Sequence, residues 1–246
     1  MKRGGPQIIP RPDGAVAGDP APWAALPERE RRITTDGLRA VFTGRVGSPS
    51  FVELAPDPVL GASAVLAPFY EDDGEVYVVL TRRGWGLRSH TGEVSFPGGR
   101  QDPGETLVEA ALREAHEEVD LPPSAVEVLG ELDHLMTVTS RSFIVPFVGL
   151  VAGGRPALRA NPNEVDAVLH VPARELLLDG VFREERWTFA TPPPWAAPDV
   201  VASGGPVERS IFFFELVGDT IWGATAAMLR HLLGLALGLD VGIDHV

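Results

Sequence analysis

Seven acidic residues fall within residues 96–121, FPGGRQDPGETLVEAALREAHEEVDL: Asp102, Glu105, Glu109, Glu114, Glu117, Glu118 and Asp120. Arg100 and Arg113 alone oppose them. On a helix of about 3.6 residues per turn, Glu114 lies three and four positions before Glu117 and Glu118, so the three carboxylates share neighbouring parts of one face. Like charges at those spacings repel and weaken the helix unless something pairs with them. Arg113, four positions before Glu117, can brace that residue; the others lack a counter-charge in the sequence. Hard divalent cations take carboxylate oxygens, and Mg2+ favours a few carboxylates together with water and substrate phosphates. The cluster therefore suits Mg2+ or Mn2+. Zinc is poorly supported, because His116 has no histidine partner at ligand spacing. An ExxEE run in isolation is ordinarily a solvated acidic face. Here Pro97-Gly98-Gly99 and Pro103-Gly104 precede it, and a compact glycine-rich turn lets backbone groups approach a phosphate or a metal.

Such a site needs a helix behind a turn, with strands to carry both. From Glu105 to Val119 the apolar residues Leu107, Ala111, Ala115 and Val119 recur every four positions, and Val108 and Leu112 widen the stripe. Asp120 and Pro122-Pro123 end this helix. Residues 62–69 and 75–81 read as strands joined at Asp73-Gly74, a hairpin signal. A loop with one short strand follows up to Gly99. Further strands are expected in residues 125–138, 142–153, 181–190 and 208–216, with a strand and short helix in 163–180. A last helix is expected to start near Asp219 as its N-cap, and one or two short helices in residues 23–42. Strands flank a few helices without regular βαβ alternation, which points to an α+β fold with a mixed sheet. The chain divides into an N-terminal extension over 1–50, partly irregular with five prolines and four glycines in its first 25 residues, and one domain over 51–240.

The bulk numbers narrow the function classes. With 246 residues and 44% hydrophobic content, the chain can build one large core. It has no cysteine, which excludes disulfides, thiolate chemistry and cysteine zinc sites and permits a cytoplasmic location. A net charge of −13 argues against general attraction to nucleic acid or an anionic membrane. No apolar run reaches the roughly 18 residues of a membrane span, and the N-terminus lacks the apolar region of a secretory signal. An anionic substrate would need a cation or a local arginine cluster to enter this field.

Gly99, Glu105 and the run Arg113-Glu114-Ala115-His116-Glu117-Glu118-Val119-Asp120-Leu121 match, residue for residue at the charged positions, the pattern G-x5-E-x7-R-E-U-x-E-E-x-G-U, where U is apolar. This resembles the Nudix box. Asp120 stands where the family usually has glycine, and aspartate tolerates the left-handed, helix-ending conformation at modest cost. Ala115 is a small choice for an apolar position. The resemblance implies a Nudix fold, a mixed β-sheet sandwiched between helices. It implies Glu114, Glu117 and Glu118 as metal ligands, joined by the Gly99 carbonyl. Arg113 would hold a glutamate in place and Glu105 would support the loop. Family members hydrolyse a nucleoside diphosphate linked to another group, by attack of water on one phosphorus beside a divalent metal. A general base from a loop after the core strands is common in the family, and Glu164 is the candidate; Glu93 is a second.

Residues 80–99, LTRRGWGLRSHTGEVSFPGG, resemble the signature of the coenzyme A pyrophosphatase branch, L-L-T-x-R-[SA]-x3-R-x3-G-x3-F-P-G-G. Thr81, Arg83, Arg88, Gly92, Phe96, Pro97, Gly98 and Gly99 are in register, while Val79 and Gly84 depart. IWGATAAML, from Ile221, resembles the branch's C-terminal helix, so the likeness runs over roughly residues 60–235. It implies a small-molecule substrate, CoA or a related nucleoside diphosphate, bound by Arg82, Arg83, Arg88, Gly92, Phe96, Gly98, Gly99 and Arg100. The four arginines form a basic exception in an acidic chain, and a guanidinium fork suits phosphate oxygens. Each could equally brace a carboxylate. His90, His134, Trp187 and Trp195 are weaker contact candidates, more often packing residues. Rival readings are an enzyme for ADP-ribose, NADH or another nucleoside diphosphate, and a non-catalytic nucleotide-sensing module; such modules usually lose part of the glutamate set, which is intact here. Assembly as a homodimer is left open.

Overall fold

The computed structural model describes residues 3–49, 61–86, 91–136, 142–189 and 206–243; Arg88, His90 and Trp195 lie outside them. In chain order, β1 is Val16–Ala17, α1 Thr35–Phe42, β2 Gly61–Asp72, β3 Glu75–Arg83, β4 Val94–Ser95, β5 Gly98–Arg100, α2 Leu107–Val119, β6 Val126–Glu131, β7 Leu135–Met136 and β8 Ser142–Val151. There follow β9 Val165–Pro172, α3 Ala173–Leu176, β10 Phe182–Phe189, β11 Val207–Glu215, β12 Thr220–Trp222 and α4 Gly223–Ala236. Asp73 and Gly74 turn the β2–β3 hairpin at φ 49° and 75°. Two successive positive φ values match the turn to the right-handed twist of its strands.

Among the described residues the larger sheet runs β4-β3-β2-β8-β6, with β5 also on β2, β7 on β8 and β9 on β3. β2 and β8 are parallel and their neighbours antiparallel, so the sheet is mixed, as expected. A second, antiparallel sheet runs β1-β10-β11-β12. Its strands are legible one by one, but a period of two does not say which sheet a strand joins. One core cluster unites Phe69, Val78 and Leu80 of the larger sheet, Phe212, Phe213 and Phe214 of the smaller, and Leu229 and Leu232 of α4. Trp23, 1% exposed, lies in that cluster against Phe182 and Phe214. The irregular N-terminal stretch is thus packed into the body of the molecule. No helix among the described residues is long and apolar enough to cross a membrane.

A second cluster lies beneath α2, where Ala110, Ala111, Ala115 and Val119 meet Ala64, Leu66, Val79 and Val145 of the sheet. Alanines on this face let the helix backbone approach the sheet closely, which gives the small Ala115 a steric reason. Three expected boundaries move. Helix α2 starts at Leu107 rather than Glu105, because Thr106 and Glu109 form a reciprocal capping box. Helix α4 starts at Gly223 with Trp222 at its N-cap, and Asp219 instead binds side chains ahead of β12. Pro97-Gly98-Gly99 is not a compact turn: Gly98–Arg100 pairs with β2, and a Cβ on Gly98 would lie 2.6 Å from Val65 Cα.

Asp120 ends α2 at φ 59°, ψ 32°, the left-handed geometry anticipated for it. Relief of that backbone strain should make Asp120→Gly neutral to stabilising by about 0.5 kcal/mol, whereas a β-branched Asp120→Val should lose about 2 kcal/mol. Urea unfolding of the two variants checks this; a valine variant as stable as the parent contradicts it.

Candidate active site

Arg113 is the hub of the site. Its Nε and Nη2 donate to the two carboxylate oxygens of Glu105 at 3.1 and 2.8 Å. Nη1 donates to Glu114 Oε1 at 3.1 Å and to Glu117 Oε2 at 3.0 Å, and Nη2 also reaches the Arg100 carbonyl at 3.0 Å. The predicted brace on Glu117 is present, and one planar cation ties three acids to the strand beside them. Glu105 holds the preceding loop by accepting from the Asp102 N–H at 2.6 Å, while its own carbonyl accepts from Gln101 Nε2 at 2.6 Å. The hydrogen bond from Arg113 holds Glu105 below the usual carboxylate range. The same partner holds the guanidinium above its ordinary value.

The glycines of β5 give the acids their backbone. Gly98 N–H donates to Glu118 Oε2 at 3.3 Å. A Cβ on Gly99 would meet the Glu114 carboxylate as it stands, so a side chain there would displace that acid. Glu118 is 6% exposed. Burial pushes it up to about 8; the Gly98 N–H opposes the rise, and the negative charges of Glu114 and Glu164 reinforce it against Arg83. Burial likewise raises Glu114, with Arg113 opposing. Glu164 is exposed, but it stands within electrostatic reach of Glu114 and Glu118. Its carbonyl accepts from the Gly84 N–H at 2.8 Å, which fixes the start of β9 beside the end of β3. The structure thus brings Glu114, Glu118, Glu164 and Arg83 into one neighbourhood.

Other expected residues fall elsewhere. Arg82 donates to Asp166 at 2.9 Å and to both Asp219 oxygens at 3.1 and 3.0 Å, so two carboxylates engage the guanidinium expected on phosphate. Phe96 is 1% exposed and belongs to the core, beneath the chain rather than facing a ligand. Trp187 is also core, with its Nε1 on Glu185 at 2.8 Å, and His134 lies 3.2 Å from Glu131. Arg100 is exposed and contributes its carbonyl to Arg113. The T-x-x-E pattern of Thr106 and Glu109 was the unread signal for the capping box. A hollow of about 520 Å3 lined by Arg31, Glu75 and Arg174 sits at the opposite end of β3 and takes no part.

The donor set fits a divalent cation. A buried carboxylate, Glu118, and a half-buried one, Glu114, both pushed toward protonation next to a backbone stripped of Cβ atoms, are a place where added positive charge restores ionisation. Glu114 and Glu117 share Arg113 Nη1, Glu117 from an exposed position, while Glu118 is buried. Among the described residues, no three acidic or histidine side chains already stand at ion-holding distances.

Comparison with known proteins shows what the chain is similar to. The NUDIX domain family profile matches residues 61–191. Nudix hydrolase 3 of Caenorhabditis elegans is 35% identical over 179 residues, 71% of this chain and 72% of that protein. The Nudix hydrolase NudL of Yersinia enterocolitica, described as uncharacterized, is 38% identical over 159 residues, 64% of this chain and 73% of its own length. A crystal structure of a MutT/nudix family protein from Enterococcus faecalis aligns with a TM-score of 0.45 at 16% identity, covering 74% of this chain and 68% of that one.

Folding raises the Glu118 pKa, so the ionised form is disfavoured in the native state. That penalty is absent below the ordinary value of 4.5, grows with pH and is complete above about 8. Without divalent metal, Glu118→Gln should therefore stabilise the chain at pH 8.5 by about 2 kcal/mol, a Tm rise of roughly 5 °C, and the gain should vanish near pH 4.5. Thermal unfolding across that range in EDTA measures it; a Glu118→Gln variant less stable than the parent at pH 8.5 contradicts the assignment.

Proposed function

The chain belongs to the Nudix family, and from that membership we propose that it hydrolyses the pyrophosphate bond of coenzyme A or a CoA derivative, CoA itself yielding 3′,5′-ADP and 4′-phosphopantetheine. The observation that carries this reading is the register of Thr81, Arg83, Gly92, Phe96, Gly98 and Gly99 leading into the glutamates. The geometry supports it: Arg83, at the end of that signature's first strand, lies in the field of Glu118, and Gly84 is bonded to Glu164. Two residues of the signature segment thus stand beside the acids.

Glu114 and Glu118, with Glu117 and the Gly99 carbonyl, would hold Mg2+ or Mn2+. Such an ion, when bound, supplies positive charge against the pyrophosphate oxygens and makes an attacking water more acidic. Arg113 keeps Glu114 and Glu117 oriented. Arg83 adds positive charge on the substrate side, and Arg88 and Arg100 complete the proposed phosphate contacts. Glu164 accepts the proton of the attacking water. The new P–O bond forms at one phosphorus as the bridging oxygen departs with the other.

Purified protein incubated with Mn2+ or Mg2+ and, in parallel, CoA, ADP-ribose and NADH tests the reading by chromatography of the products. It predicts 3′,5′-ADP from CoA with kcat/KM at least about tenfold above the other substrates, and a loss of about a hundredfold in kcat for Glu164→Gln. Preference for ADP-ribose or NADH overturns the CoA assignment, and silence on every diphosphate favours a nucleotide-sensing module.

A further inference from the structure

Two segments outside the matched span, the N-terminal stretch and the β11–β12 turn, meet at one buried amide. Gln7 is 9% exposed. Its Nε2 donates to the Gly92 carbonyl at 3.0 Å and to Asp219 Oδ1 at 2.9 Å, and its Oε1 accepts from the Thr220 N–H at 2.9 Å. Both N–H groups and the carbonyl of the amide are therefore engaged. Asp219, 6% exposed, receives Arg82 on both oxygens, and Arg82 continues to Asp166. The approach to Gln7 is equally fixed. Gly4 N–H donates to the Leu216 carbonyl at 2.7 Å and Gly5 N–H to Thr220 Oγ1 at 3.0 Å. A Cβ on Gly5 would lie 2.6 Å from Asp219 Cα.

The far ends of these bonds bracket Arg83. Arg82, reached through Asp219, precedes it in the chain. Gly92 faces it across the strand pair: Gly92 N–H donates to the Arg83 carbonyl at 3.1 Å, and Arg83 N–H to the Glu93 carbonyl at 2.8 Å. Gly92 sits at φ 69°, and a Cβ there would collide with the ring of Trp85, which is 43% exposed. Gly92 is thus gripped on its carbonyl by Gln7 and at its Cα by Trp85. A buried amide with every polar group used is costly to disturb, since each orphaned partner loses a hydrogen bond it cannot replace.

We propose that Gln7 is a positioning residue for the active site: with Asp219 it clamps Gly92 and Arg82, and so sets where Arg83 and the Trp85 ring stand against the substrate. The kinetic consequence rests on the diphosphatase reading above; the clamp itself does not.

The test uses the full chain carrying Gln7→Leu, which keeps approximate volume but has no polar group, and Gln7→Asn, whose shorter amide cannot span both partners. Ser210→Ala serves as a control, removing the bond from Ser210 Oγ to Glu184 at 2.7 Å in the smaller sheet. Amide exchange by mass spectrometry should be about tenfold faster over residues 91–97 in the Gln7 variants and unchanged there in the control. KM for the best diphosphate substrate should rise about tenfold with kcat within about threefold of the parent, well below the unfolding temperature. Unchanged exchange over 91–97 in either folded Gln7 variant overturns the clamp. Faster exchange with unchanged KM overturns the positioning role and leaves a structural one. If the parent turns over no diphosphate, the diphosphatase reading fails, while the exchange result still decides the clamp.

Discussion

A single guanidinium must satisfy more negative charge than it carries. Arg113 presents planar donors to Glu105, Glu114, Glu117 and the Arg100 carbonyl at once, a fork that a lysine ammonium cannot reproduce. Without it, acids at three- and four-residue spacing would repel along the helix and loosen its last two turns. With it, the loop from Arg100 to Glu105 is sewn to the helix. Glu118 lies beyond that fork. Burial works against its ionised form, and the Gly98 N–H and the field of Arg83 favour it. The site is therefore held together and left electrically incomplete by the same arrangement.

The packing beneath α2 makes that arrangement possible. Alanines at 110, 111 and 115 bring the helix down onto β2; Gly98 lets β5 lie close on β2, and Gly99 leaves out the side chain that would meet the Glu114 carboxylate. Asp120 then breaks the helix in a left-handed conformation, and the Asn161 N–H bonds the Glu118 carbonyl at 2.8 Å, drawing the segment that carries Glu164 toward the same end. Small residues, a strained terminus and a returning loop all serve one end, which is to hold Glu114, Glu118 and Glu164 in a neighbourhood where water alone would keep them apart.

Much of this was legible before any coordinates. Spacing placed Glu114, Glu117 and Glu118 on one face, Arg113 beside Glu117, and Asp120 at a helix end, because these are local relations set by helical geometry. The Asp73-Gly74 hairpin and most strands followed from period and turn chemistry for the same reason. What failed was long-range. Arg82 looked like a phosphate ligand because nothing in its neighbourhood in sequence shows Asp166 and Asp219 arriving from 84 and 137 positions away. Phe96 looked like a contact residue because a motif records which positions are fixed without recording whether they face ligand or core. Asp219 resembled a helix cap until Gln7 and Arg82 were seen on its oxygens. The second sheet and the packing of the N-terminal stretch depend on pairings that no local pattern encodes.

The account stands on Glu114 and Glu118 forming a carboxylate pair whose missing charge is a divalent cation. Crystals grown with MnCl2 and measured at the manganese absorption edge test this directly. An anomalous peak within about 2.5 Å of carboxylate oxygens from both Glu114 and Glu118, with Arg113 still on Glu105, is the predicted result. Manganese bound elsewhere, or a site empty while the two glutamates keep the positions described, would contradict it.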